Sequence, residues 1–262
     1  MNSQDLFLQD VELIKKEAPL IHNITNFVVM NNTANALLAL GASPVMAHAK
    51  EEVSEMTSIA SALVINIGTL NPEWVEAMKI AGKTALLKGI PLVLDPVGVG
   101  ATSYRSAICR ELIEECKPTI IRGNASEIQA LVNDDIKTKG VDSTASTEDA
   151  LSAAKYLAQQ IGTIVSVSGE VDLITDGNLV YEVKGGSSLM SQVTGMGCTA
   201  TAITAAFAAI NKNYCEAALH AMQLMSRVGQ SAAQKAKGPG SFQVYFLDEL
   251  YQIEKRETRD AK

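Results

Sequence analysis

ALVINIGTLNPEWVEAMKIAGKTALLKGIPLVLDP, residues 62–96, reads as a strand, a helix and a second strand in succession. Residues 62–67 form a short apolar, β-branched run that ends at Gly68. Asn71-Pro72-Glu73 then opens a helix, because proline at the first helical position has its φ already set and gives up only an N–H that would go unpaired. The helix runs to Lys88 with Gly89 as its C-cap, and residues 90–94 form the next strand, stopped at Asp95-Pro96. Continuous apolar strands on either side of a helix are the mark of parallel strands buried on both faces.

The alternation continues outward. Residues 104–116 are expected to be helical, 118–121 a strand, 126–133 a short helix, 147–160 a helix and 164–167 a strand. After Gly169 the pattern changes. Residues 173–175 and 179–183 flank Asp176-Gly177, a strong short hairpin signal, so antiparallel strands are expected to close one edge. Residues 198–210, 214–235 and 242–255 are then helical. No repeat and no Pro/Gly/Ser linker divides the sequence. The expected architecture is one α/β domain over residues 1–262, with a central, mostly parallel sheet, helices on both faces and an antiparallel edge.

Composition narrows the function. Of 262 residues, 47% are apolar and 19% charged, which supports a sizeable core and excludes a disordered or collagenous chain. The formal charge is −7 (22 basic against 29 acidic residues) and no basic run interleaves with aromatics. Phosphate neutralisation along a nucleic acid needs clustered Lys and Arg, so a small-molecule ligand is expected, not a nucleic acid. The first residues lack a basic segment followed by an apolar core, and the longest apolar stretch, near residues 199–210, falls short of a bilayer span. A cytoplasmic protein without membrane contact is expected. The four cysteines form no CxxC pair and the three histidines are scattered, which argues for reduced thiols and against zinc. Cys109, Cys116 and Cys215 read as core thiols, Trp74 as packing, and Glu51-Glu52 and Glu114-Glu115 as solvated helix faces.

In an open α/β sheet, ligands bind beyond the carboxyl ends of the strands, so residues just after each strand matter most. Four places stand out. Asp95-Pro96-Val97-Gly98-Val99-Gly100 follows a buried strand; its carboxylate suits a magnesium ion held through water, and it reads equally as a turn that ends a strand. Arg122-Gly123-Asn124-Ala125-Ser126-Glu127 offers a permanently charged phosphate partner, while Asn124 with Glu127 also fits a capping box. Ser168, within Val167-Ser168-Gly169-Glu170, suits a phosphate contact or an ordinary turn. Gly195-Met196-Gly197-Cys198 opens a long helix whose free N–H groups make either an anion site or a plain glycine-rich cap. No GxxxxGK[ST] is present, so a P-loop is excluded. Gly195, Gly197 and Ala200 do satisfy the dinucleotide fingerprint, outside its usual βαβ setting.

Together these segments resemble those of ribokinase-type small-molecule kinases and, more narrowly, the hydroxyethylthiazole kinase family of thiamine biosynthesis and salvage. The resemblance spans nearly the whole chain. It rests on Leu20-Ile21-His22-Asn23-Ile24-Thr25-Asn26, on Leu94 to Thr102, on Arg122 to Glu127 and on Val193 to Cys198. It implies a ribokinase-like fold and transfer of the ATP γ-phosphoryl group to the primary alcohol of hydroxyethylthiazole, assisted by Mg2+. Carried over by position, Asp95 and Glu127 match metal-organising acids, and Arg122, Ser168 and Asn124 match ATP contacts. Gly195, Gly197 and Cys198 match the catalytic anion hole, and Asn26, Met46 and Gly195 match the thiazole site. The family resemblance further implies a homotrimer whose pockets are shared between subunits.

The wider superfamily carries Asp, as G-A-G-D, where this sequence has Cys198. Thiazole kinases commonly carry Cys there, so the narrow resemblance holds while the general base is left open. The alternatives are a related kinase for another hydroxymethylated heterocycle, such as the pyrimidine branch of the same pathway, against which the HNITN segment speaks. A nicotinamide-dependent oxidoreductase built on Gly195-x-Gly197-x-x-Ala200 is another, and a catalytically weak thiazole or nucleotide sensor is the third.

Overall fold

The strand–helix–strand unit at residues 62–96 folds as its sequence directs. In the computed structural model, which describes residues 3–132 and 147–260, Asn71 Oδ1 accepts the Trp74 N–H at 2.9 Å and caps the helix Pro72–Lys88, which Gly89 ends in the left-handed region. In chain order the elements are α1 (Ser3–Glu17), β1 (Leu20–Ile24), α2 (Met30–Leu40), β2 (Ser43–Val45), α3 (Val53–Ile59), β3 (Ala62–Asn66), α4 (Pro72–Lys88) and β4 (Leu92–Asp95). There follow α5 (Ser103–Cys116), β5 (Ile120–Asn124), α6 (Ala125–Val132), α7 (Thr147–Ile161), β6 (Ile164–Ser168), β7 (Val171–Thr175) and β8 (Val180–Lys184). A 3₁₀ turn at Ser188–Gln192 leads into α8 (Met196–Ile210), α9 (Tyr214–Lys235) and α10 (Pro239–Asp260).

Among the described residues, eight strands join one sheet in the order β2-β1-β3-β4-β5-β6-β7-β8. Neighbours from β2 to β6 run parallel, and β7 and β8 add the antiparallel edge. Because successive strand residues face opposite ways, the sheet sorts its apolar side chains into two cores. Ile21, Ala62, Val64, Val93 and Ile120 pack with α1, α2, α8, α9 and α10. Ile24, Leu63, Ile65, Leu94 and Ile121 pack with α3 to α7. Helix α8 is apolar all round and lies between β1, β3 and β4 on one side and α1, α2 and α9 on the other, the setting in which such a helix is stable.

Several boundaries differ from the sequence reading, each for a local reason. The fourth strand starts at Leu92 and not at Ile90, because the Ile90 N–H closes the end of α4 on Ala85 and Pro91 has no N–H. The fifth runs from Ile120 to Asn124 and not over residues 118–121; Pro118 cannot donate to the ladder and its carbonyl accepts Thr163 Oγ1 at 2.8 Å. Arg122 therefore lies inside β5 rather than beyond it. The hairpin at Asp176-Gly177 has a longer loop than two residues, because Asp176 Oδ1 accepts the N–H groups of Asn178 and Leu179, both at 2.8 Å, so β8 begins only at Val180. Asn133, the expected end of the short helix, lies outside the described residues. The elements from α1 to α3 carry no clear sequence signal; β1 holds His22 and Asn23 inside an otherwise apolar strand.

Candidate active site

The face sorting that builds the core also places the polar residues. On β3, Ala62 and Val64 face α8, so Asn66 does too; on β4 and β5 the same step of two turns Asp95, Arg122 and Asn124 to that face. Asn66 and Asp95 are register partners on adjacent parallel strands, as are Asn124 and Ser168. The carboxyl ends of β3 to β6 and the first turn of α8 thus surround one cavity of about 430 Å³. Asn26, Asp95, Arg122, Asn124, Glu127 and Ser168 line it, and Gly195, Gly197 and Cys198 complete it from α8. Met46 stands apart: it follows the edge strand β2, half-buried, and does not line the cavity.

The first turn of α8 has no side-chain cap, which leaves its leading N–H groups free. Gly195 sits at φ 85°, where a side chain would strain the backbone and strike Val29. Gly197 lies against the Arg122 guanidinium; a Cβ there would come within 3.2 Å of Nη1. Arg122 is only 6% exposed, and its buried Nε has no hydrogen-bond partner. A buried guanidinium with an unsatisfied donor, packed against a helix N-terminus, suits an anion in the adjoining cavity.

Two acids line the same cavity. Asp95 is buried, and burial pushes its carboxyl above the ordinary range against the opposing pull of Arg122. Its Oδ2 accepts Asn66 Nδ2 at 2.7 Å and Thr201 Oγ1 at 2.8 Å. Glu127 accepts the Gly98 N–H at 2.9 Å and the Asn124 N–H at 2.8 Å, while Asn124 Oδ1 accepts the Glu127 N–H at 2.9 Å. The capping box therefore forms, and the same two residues also face the cavity. Burial and then the Asp95 charge push Glu127 up to about 7. Cys198 Sγ receives Asn66 Nδ2 at 3.2 Å and Asn26 Nδ2 at 3.4 Å, yet burial and Asp95 raise its thiol to about 12. It stays protonated at neutral pH. Ser168 Oγ makes one long bond, 3.4 Å to the Gly123 carbonyl.

Three contributors were not among the sequence candidates. Asn66 and Thr201 hold Asp95, and Arg105 on α5 donates to the carbonyls of Ile67, Gly68 and Val97 at 2.6–2.7 Å, tying the loop after β3 to the loop after β4. The strand-end rule reaches Asn66, which ends β3, once the strand is stopped at Asn66 and not at Ile67. Thr201 and Arg105 lie within the first two turns of their helices and carry no signal of their own. The fingerprint Gly195-x-Gly197-x-x-Ala200 follows a 3₁₀ turn, and no strand follows it among the described residues, so it does not form a dinucleotide-binding βαβ unit. Cys109, Cys116 and Cys215 are buried as expected, and Trp74 packs between Phe27 and His48, its ring centroid 4.4 and 4.2 Å from theirs. Glu115 departs from a simply solvated face by pairing with Lys79 and Lys83 at 3.1 and 2.6 Å.

Residues 11–256 match the model of the hydroxyethylthiazole kinase family. The chain is 52% identical over 246 residues to a hydroxyethylthiazole kinase of Leptospira biflexa, covering 94% of this chain and 92% of that one. It is 40% identical to the solved structure of a hydroxyethylthiazole kinase protein from Pyrococcus horikoshii, with a TM-score of 0.89 over 97% of this chain and 96% of that one. A ribokinase-like superfamily protein from Enterococcus faecalis, 14% identical, shares the fold with a TM-score of 0.65 over 98% of this chain and 95% of its own.

Proposed function

This chain belongs to the hydroxyethylthiazole kinase family and phosphorylates the alcohol of hydroxyethylthiazole for thiamine synthesis; on that footing, we propose how its residues divide the work. ATP is the phosphoryl donor. Arg122, whose Nε lacks a partner and whose Nη1 lies against Gly197 in the first turn of α8, pairs with the phosphates; this buried guanidinium is the observation that carries the reading. Asn124 and Ser168 border the same nucleotide side. The free N–H groups from Gly195 to Cys198 take the charge that builds on the transferred group. Asn26 and Gly195 border the thiazole.

Asp95 and Glu127 fit a magnesium ion. Two buried carboxyls, both raised above their ordinary range, share the cavity with the Arg122 guanidinium, and a divalent cation would offset their mutual repulsion. Among the described residues no group of three or more His, Cys, Asp or Glu could hold a metal. Magnesium suits that economy, because it commonly binds through one or two carboxylates plus phosphate and water. When bound it neutralises charge on the transferring phosphates. Phosphoryl transfer passes through a loose transition state, so alignment of alcohol and phosphate outweighs a strong base, and a thiol at about 12 is neither base nor nucleophile here.

The chain acts as one domain in the cytoplasm, as a homotrimer. Phe27 and Val28, 63% and 61% exposed, adjoin the cavity mouth and suit burial by a neighbouring subunit, which would bring Met46 beside a shared thiazole pocket. Among the described residues no helix is long and apolar enough to cross a membrane. A coupled assay for ADP with and without hydroxyethylthiazole, with and without Mg2+, tests the chemistry. Release of ADP that depends on both supports it; tight NAD binding without such release would overturn it. The mass of the purified protein in solution tests the trimer.

A further inference from the structure

We propose that Asn66 is a positioning residue for phosphoryl transfer: its side-chain amide fixes Asp95, Asn26 and Cys198 relative to one another. This inference rests on the proposed division of roles above. Asn66 is 1% exposed and uses its whole hydrogen-bonding capacity. Its Nδ2 donates to Asp95 Oδ2 at 2.7 Å and to Cys198 Sγ at 3.2 Å. Its Oδ1 accepts from Asn26 Nδ2 at 2.8 Å and from the Gly68 N–H at 2.9 Å. The amide has one workable orientation. Turned over, it would set an oxygen against the Asp95 carboxylate and an NH2 group against the Gly68 N–H.

That orientation propagates. With Asn66 Oδ1 facing it, Asn26 must point its own NH2 inward, and its Oδ1 accepts the Val28 N–H at 3.1 Å. The second Asn26 hydrogen then falls on Cys198 Sγ, at 3.4 Å. Asp95 receives Asn66 and Thr201 on a single oxygen, which fixes the rotation of its carboxylate. One amide thus joins the loop after β1, the ends of β3 and β4, and the start of α8. It does so through hydrogen bonds to side chains from each side of the reaction: Asn26 toward the alcohol, Asp95 toward the metal and phosphate.

The test is steady-state kinetics of full-length Asn66→Asp and Asn66→Ala with hydroxyethylthiazole, ATP and Mg2+, rates being counted per ATP-binding site. Asn66→Asp keeps the acceptor for Gly68 and Asn26 but presents an oxygen to Asp95; Asn66→Ala removes every bond. Partners that orient functional groups typically matter by about 10- to 100-fold. The expected result is a kcat loss of that size in both variants together with a raised KM for hydroxyethylthiazole. A merely structural residue would lower thermal stability and the number of ATP sites while kcat per site and both KM values stayed put, and that outcome overturns the assignment. If one variant fails to fold, the other carries the test. Absence of hydroxyethylthiazole-dependent ADP in the unmodified protein would overturn the functional reading and this inference together, whereas normal turnover with unaltered variants removes the inference alone.

Discussion

At the scale of single residues, one guanidinium and two buried carboxyls share the cavity, where burial raises both acids and the charge of Arg122 draws them down. In the proposed role of Arg122, its removal leaves the incoming phosphates without their buried partner, a loss of about 2–5 kcal/mol for a desolvated charged contact. Arg122→Ala should raise the KM for ATP far more than the KM for hydroxyethylthiazole; equal rises in both would remove the assigned role. Cys198 answers a different question. Its thiol is raised to about 12, so Cys198→Ala should lower kcat by about tenfold or less, since the helix N–H groups remain. Cys198→Asp should keep or raise kcat, because Asn26 and Asn66 already aim N–H donors at that position and offset the nearby Asp95. Single-turnover assays decide: if both variants are dead, direct transfer fails and a cysteine phosphoenzyme stands. The charged and glycine-rich residues lining the cavity were legible because each lies at or near the end of a strand or opens a helix. Asn66 was not, since an asparagine inside ALVIN reads as strand; nor was Thr201, whose hydroxyl reaches Asp95 only because α8 crosses β4. Met46 was named through family resemblance and lies away from the cavity of the single chain.

At the scale of elements, β1 carries a polar residue toward each face, and the two have different fates. His22 faces α3, where Nδ1 meets Thr57 Oγ1 and Nε2 meets the Ala47 carbonyl, both at 2.9 Å. Burial lowers its pKa below the ordinary 6.5. Between the folded and unfolded values the unfolded chain binds a proton that the folded chain refuses. The stability this confers is full above 6.5 and is lost as the pH falls through the folded value. Urea unfolding near pH 8 and near pH 5 should show this loss, and His22→Asn should show less of it; an identical pH dependence would assign the effect elsewhere. His48, lowered by burial as well, adds to the same slope. The alternation of β3 to β6 with their helices was legible because short continuous apolar runs mark the buried strands and capped segments of helical length separate them. The first sixty residues were not. There β1 breaks its apolar run with His22 and Asn23, β2 has only three residues, and α3 has seven, all too short for a period to emerge.

At the scale of the whole molecule, strand pairing and chain order disagree about when the protein can be finished. The whole sheet, β1 to β8, lies N-terminal to α8, yet α8 covers the inner face of β1, β3 and β4. A chain emerging from the ribosome can pair its strands early, but Ile21, Val64 and Val93 stay without the cover of α8 until the segment Met196–Ile210 has cleared the exit tunnel. Exposed apolar sheet of that kind is what chaperones hold and what aggregates. Ribosome-stalled chains ending before residue 196 should therefore be cut readily by protease throughout the sheet, and chains in which α9 has also emerged should resist; equal resistance at both lengths would show that the sheet stands without its helix. The same late segment brings Gly195, Gly197 and Cys198, so synthesis delivers the last core helix and the anion-binding turn in one event. The polar residues at the strand ends wait for that turn, so nucleotide binding should first appear at the chain length that completes the core.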